Sequence, residues 1–167
     1  MQQYQNIIQI APLFRGIAAT DLQSLLSCLN PVYREYAKGA LLFQRGEDIS
    51  ALGMVLSGLV HVVEDDFWGN RSILADIGPG DLFGEVYACL PGERLRVSVL
   101  AAEKSTALFL DVPRILTTCP TACVFHTQLM RNLLTETARK NLMLTRKLSH
   151  MIKRTTRDKL LSYLSSQ

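Results

Sequence analysis

No apolar run in this sequence approaches the ~20 residues a helix needs to cross a bilayer. The first nine residues, Met1 to Gln9, also lack the basic start and apolar stretch of a secretory signal. No membrane association is therefore expected, and the cytoplasm is the expected compartment. Cysteine is sparse and scattered, with Cys28, Cys89, Cys119 and Cys123 far apart in 167 residues. A chain of this length buries enough core to do without disulfide staples, so reduced thiols are expected. There are three histidines, His61, His126 and His150, on different parts of the chain. They do not supply the clustered ligands of a metal-dependent jelly-roll enzyme, and haem is not expected on any of them. Cys119-x3-Cys123-x2-His126 has suitable ligand types but lacks the paired CxxC spacing of a zinc module. The sequence has no Walker loop, no Ser/His/Asp or Cys/His arrangement and no acidic metal motif, so no enzymatic function is assigned.

Strong net charge is missing as well. The balance of +3 does not by itself imply nucleic-acid binding, which needs several clustered Lys and Arg to neutralise phosphates. Acidic residues gather in the first half (Glu47, Asp48, Glu64 to Asp66, Asp76, Asp81, Glu85), and basic ones from Arg139 to Lys159. With 48% hydrophobic and 20% charged residues, the composition is that of a folded protein.

Three kinds of pattern follow one another along the chain. From Asn6 to Leu29, apolar residues recur every three or four positions and are interrupted at Pro12 and Gly16, which predicts two helical stretches. Thr20 is the expected cap of the second, which should end near Asn30-Pro31. From Val32 to Leu110 the pattern becomes short apolar runs: Ala40 to Phe43, Met54 to Leu56, Leu59 to Val63, Ser72 to Ile77, Val97 to Ala101 and Thr106 to Leu110. Glycine-bearing turns separate them, so an antiparallel barrel or sandwich is expected. From Thr127 to Lys153 there is neither glycine nor proline, which predicts one long helix of about 40 Å. Such a helix outruns a small barrel. Leu134, Ala138, Asn141, Thr145, Leu148 and Ile152 form a stripe suited to pairing with a second copy. Leu129, Leu133 and Leu142 lie off that stripe, placed to pack on the barrel. The alternative is that the stripe is core within its own chain.

The glycine framework resembles that of the Crp/Fnr sensor domain. It runs through Pro12-Leu13-Phe14 with Gly16, Lys38-Gly39, Leu42-Phe43, Gly46-Glu47, Val55-Leu56-Ser57-Gly58 and Gly69, then Gly78-Pro79-Gly80-Asp81-Leu82-Phe83-Gly84-Glu85. The resemblance implies a mainly β fold with flanking helices: a jelly-roll, cyclic-nucleotide-binding-like double-stranded β-helix followed by a long dimerisation helix. The domains expected are a β-roll sensing domain with its N-terminal helices over 1–124, the dimerisation helix over 125–153, and, over 154–167, a hinge with the first helix of a winged helix-turn-helix. Residues Lys159 to Gln167 supply barely two helical turns, too few for a recognition helix. DNA contact is thus expected only through a domain absent from this sequence.

The resemblance also places an effector pocket. Gly84 and Glu85 match the family's ligand-binding segment, Val86 and Tyr87 continue it as a turn whose free amides suit an anion, and Glu85 would accept from a sugar hydroxyl. A phosphate-binding arginine is expected about ten residues on, directly before Ser or Thr. The sequence departs there: Arg94 and Arg96 flank Leu95, and Val97 precedes Ser98. A one-residue register change restores an arginine but not the adjacent hydroxyl. Gly84, Glu85, Val86, Tyr87, Arg94, Arg96 and Ser98 are the candidate effector residues, with Asn141 and Thr145 on the helix stripe. The expected effector is a cyclic nucleotide or another small anion, and its identity is open. Two further readings stand beside this one: a cyclic-nucleotide-type sensor with a different output, and a structural dimerisation module in which Glu85 merely pairs with Arg94 or Arg96, worth ~0–1 kcal/mol at a surface.

Overall fold

The structure is a computed structural model that describes residues 4–66, 68–117 and 124–151. Helix α1 (Gln5–Ile10) and helix α2 (Ala19–Leu29) flank a 3-10 turn at Pro12–Phe14. Pro12 suits that turn because its ring presets φ and the missing N–H is an orphan there anyway. Thr20 does not cap α2. The cap is Ala18, extended at ψ 150°, whose carbonyl accepts from the amides of Asp21 and Leu22. The helix ends on Asn30 in the left-handed conformation (φ 48°), which a short amide side chain tolerates.

Eight described strands follow: β1 (Val32–Tyr36), β2 (Leu41–Phe43), β3 (Ala51–Ser57), β4 (Val60–Asp65), β5 (Arg71–Ile77), β6 (Leu82–Phe83), β7 (Ser98–Ala101) and β8 (Ser105–Asp111). Helix α3 (Glu85–Ala88) separates β6 from β7, and α4 (Val112–Leu116) and α5 (Val124–Met151) follow β8. The strands form two antiparallel four-stranded sheets, β1-β8-β3-β6 and β2-β7-β4-β5. One apolar interior is shared between them: Val55, Phe83, Ala107 and Phe109 come from the first sheet, Phe43, Val60, Ile77 and Val99 from the second. This is the expected jelly roll followed by a long helix.

β3 explains why one strand reads as an unbroken apolar run. Val55 faces the interior, and Leu52, Met54 and Leu56, which alternation turns to the other face, are 0–2% exposed. Both faces are covered, so both must be apolar.

The chain divides into two compact units, Met1–Asn132 and Leu133–Gln167. Within the first, Asn132 donates from Nδ2 to the carbonyls of Leu13 and Arg15, both at 2.8 Å, and accepts from Gln128 Nε2 at 3.0 Å. These bonds satisfy two carbonyls beside the 3-10 turn that would otherwise be costly to bury. In the second unit, Leu134, Leu142, Met143, Leu144 and Leu148 are each more than half exposed. Leu129 and Leu133 are buried as expected of core positions, whereas Leu142 is not. Ile152, Lys153 and the expected hinge at 154–167 lie outside the described residues.

Candidate functional site

The Gly78–Glu85 segment is fixed to the roll before it reaches the candidate ligand residues. Gly80 donates to the carbonyl of Val55 at 2.8 Å, and Val55 donates to that of Asp81 at 3.1 Å. β6 then pairs Leu82 with Met54 and Phe83 with Gly53. Gly53 is required there, since a Cβ would overlap the Phe83 ring. Phe83, Phe43 and Phe109 meet edge to face, with centroids 5.5, 5.6 and 5.9 Å apart, the arrangement that ring quadrupoles favour.

Directly after Phe83 the backbone turns through Gly84, whose φ of 75° suits glycine and whose Cβ would stand 2.7 Å from the Phe43 ring. Glu85 opens α3 and is 3% exposed, Tyr87 packs partly on the interior cluster, and Val86 is exposed. The amides of Glu85, Val86 and Tyr87 have no partner within the helix, because the first intrahelical bond comes from Ala88 to the carbonyl of Gly84. Cys89 follows. Burial, and then the charge of Glu85, push its thiol above the ordinary range, the opposite of what an activated cysteine needs.

The returning segment is held by a turn far back in the chain. Gly46 donates to the carbonyl of Leu95 at 2.8 Å, Leu95 donates to that of Glu47 at 2.9 Å, and the Arg45 amide donates to Ser98 Oγ at 3.1 Å. Leu95 is thereby directed inward. It is 2% exposed, in the same cluster as Phe43 and Phe83. Its neighbours Arg94 and Arg96 both face solvent. Gly84, Glu85 and Tyr87 lie together along the chain, Tyr87 packs against the cluster that holds Leu95, and both arginines face solvent. Asn141 and Thr145 lie on α5 in the second unit. There Thr145 Oγ1 donates to the Asn141 carbonyl at 3.0 Å, and both residues are exposed.

Two β1 residues that border the interior, exposed Arg34 and half-buried Tyr36, had no signal in the apolar-run pattern. Arg34 on β1 is opposite Ala107 of the interior cluster, so it shares that face, and its guanidinium carbon is 5.8 Å from the centre of the Phe109 ring. Tyr36 meets the same ring at 6.3 Å. β1 is at the opposite edge of its sheet from β6.

His61 Nδ1 and Asp76 Oδ1 are 2.7 Å apart on directly opposed residues of β4 and β5. His126 is buried with Nδ1 lacking a hydrogen-bond partner among the described residues. Cys119, Cys123 and the His150 side chain lie outside the described residues. Among the described residues, no three His, Cys, Asp or Glu side chains converge to hold a metal.

The sequence profile of the cyclic nucleotide-binding domain matches residues 33–120, from the second residue of β1 to beyond α4. The chain belongs to the cyclic nucleotide-binding domain family. The resemblance to the Crp/Fnr family read from the glycine framework is borne out by its relatives. A "Cyclic AMP receptor protein" of Thermus thermophilus is 36% identical over 100 residues, 60% of this chain and 45% of the relative. A "CRP-like cAMP-activated global transcriptional regulator" of Mycobacterium tuberculosis is 30% identical over 89 residues, 53% of this chain and 39% of the relative. The crystal structure of the Thermus thermophilus catabolite activator protein superimposes with a TM-score of 0.70 at 28% identity, covering 84% of this chain and 63% of that one. The chain thus spans less than half the length of these curated relatives in the matched regions. None of the three names an enzyme.

Gly84 and buried Glu85 are in place where the family's ligand segment begins. Where the resemblance implies a phosphate-binding arginine, Leu95 takes the inward position between two outward arginines. An ionised group removed from water without a paired cation costs several kcal/mol.

Proposed function

We propose that this chain is the effector-sensing and dimerising region of a Crp/Fnr-like transcription regulator. In this reading, residues 1–124 bind a small effector, residues 125–153 pair with a second copy, and residues 154–167 lead toward a DNA-reading domain. The observation that carries it is the set of exposed large apolar side chains on α5, of which Leu134 and Leu148 belong to the stripe expected to pair. Helix α5 has 28 residues, and from Leu134 onward it leaves five large apolar side chains more than half exposed. Polar residues would be expected there on a helix meant for water. The regulatory names of the Thermus and Mycobacterium relatives support the transcriptional output.

The effector site in this reading is Gly84, Glu85, Val86 and Tyr87, together with Arg94, Arg96 and Ser98 of the returning segment; Asn141 and Thr145 are the separate candidates on the pairing helix. The α3 amides favour a small anionic group. Effector binding alters the helix pair only if one arrangement of the two copies binds it better than the other. No described helix is long and apolar enough to cross a membrane, and the resemblance to bacterial regulators supports a cytoplasmic location.

Sedimentation equilibrium tests the reading. The native chain is expected to be a dimer, and the double variant Leu134→Glu, Leu148→Glu a monomer. Thermal stability of the monomeric roll should change by no more than about 0.5 kcal/mol, the usual range for surface substitutions. A native chain that stays monomeric at all accessible concentrations overturns the proposal.

A further inference from the structure

Resting on the sensing reading above, we infer that Leu95 makes this roll reject cyclic nucleotides, and that position 95 is the residue deciding whether it accepts a phosphodiester. The argument is one of charge and register. A cyclic phosphate is a diester that stays ionised at any pH at which a protein is folded, so it cannot shed its charge on entering the roll as a carboxylic acid can. Hydrogen bonds from backbone amides alone leave that charge uncompensated in an apolar surround. Leu95 shares a buried cluster with Phe43 and Phe83, and Gly84 immediately follows Phe83 and lies against the Phe43 ring. The side chain at 95 therefore borders the turn where a ligand's anionic group would meet the α3 amides.

Neither flanking arginine can take its place by a register slip. Arg94 and Arg96 face outward on either side of buried Leu95, so bringing either one inward means shifting the segment by one residue. That shift breaks both backbone bonds between Leu95 and the Gly46-Glu47 turn, and the bond from the Arg45 amide to Ser98 Oγ. It also turns a fully buried leucine out to water. Arg34 is exposed and stands on β1, at the opposite edge of its sheet from β6. Ser98, the one hydroxyl close after Leu95, already accepts from the Arg45 amide.

The test is titration calorimetry and thermal shift with cyclic AMP and cyclic GMP on the native chain and on Leu95→Arg. The native chain is expected to give no heat and no shift with millimolar nucleotide, and this arm needs no variant. Leu95→Arg is expected to gain affinity by about a hundredfold, the value of a charge-assisted hydrogen-bond pair. If that variant does not fold, the native titration still decides whether the roll rejects the nucleotide. Micromolar binding by the native chain overturns the inference and leaves the sensing reading standing. A folded Leu95→Arg protein that binds neither nucleotide overturns the assignment of selectivity to position 95. Failure of the sensing reading would appear instead as a monomeric native chain.

Discussion

The interior of the roll and the stretch of α5 from Leu134 onward are built from similar residues and treat them in opposite ways. Phe43, Phe83, Phe109 and Leu95 are at most 9% exposed, each locked by neighbours from two sheets. Leu134, Leu142, Leu144 and Leu148 are all more than half exposed on a single helix. Close packing makes the first region intolerant of any change in volume, because interiors approach crystal density. The second has nothing to pack against within the described chain, so its apolar surface is free to be buried by association. On the proposed reading, stability and assembly are thus carried by separate parts of one polypeptide.

The largest expected effect is at the closest approach inside the roll. Gly53→Val forces two methyl groups into the space of the Phe83 ring and should destabilise the fold by more than about 3 kcal/mol in urea unfolding. A loss under about 1 kcal/mol would mean that the interior is far softer than its burial implies. The boundary between the regions is sharper still to probe through Asn132. Asn132→Ala leaves the Leu13 and Arg15 carbonyls without their donor and should cost about 1–3 kcal/mol in the same measurement, with the dimer preserved.

The smallest effect belongs to the β4–β5 hairpin. The Arg71 hydrogen bond holds the Asp65 carboxyl below its usual range, and the Asn70 side chain, followed by backbone amides, does the same for Asp66. Both shifts are downward, so the stabilisation is present above the unfolded carboxyl range, near pH 4, and is lost as pH falls through the lower folded values. Trp68, the single tryptophan, is in this turn, and its amide donates to Asp66 Oδ1 at 2.9 Å. Its fluorescence should change in acid before the roll melts. Coincident transitions would instead tie the hairpin to the core.

Much of this architecture was legible because glycine-bearing turns separated apolar runs, and six strands fall where those runs lie. β1 and β6 did not stand out. β1 carries Arg34 and Glu35 on an edge strand, where charge is tolerated, and β6 has only two residues. Helix α2 starts earlier than Thr20 suggested, since the carbonyl of Ala18 serves its first amides without help from a side chain. At the candidate site, Gly84-Glu85 was readable from local sequence. The inward direction of Leu95 was not: the parity of that segment is set by Gly46 and Glu47, and no local pattern encodes a partner so distant.

Asn132 ties the opening turns of α5 to the carbonyls of Leu13 and Arg15. Anything that displaces the root of that helix must therefore pull on the amino-terminal segment as well. A spectroscopic probe attached ahead of α1 would report on such movement while leaving the candidate effector residues and the exposed apolar side chains of α5 unaltered, and a bulky fusion there would act as a brake on it.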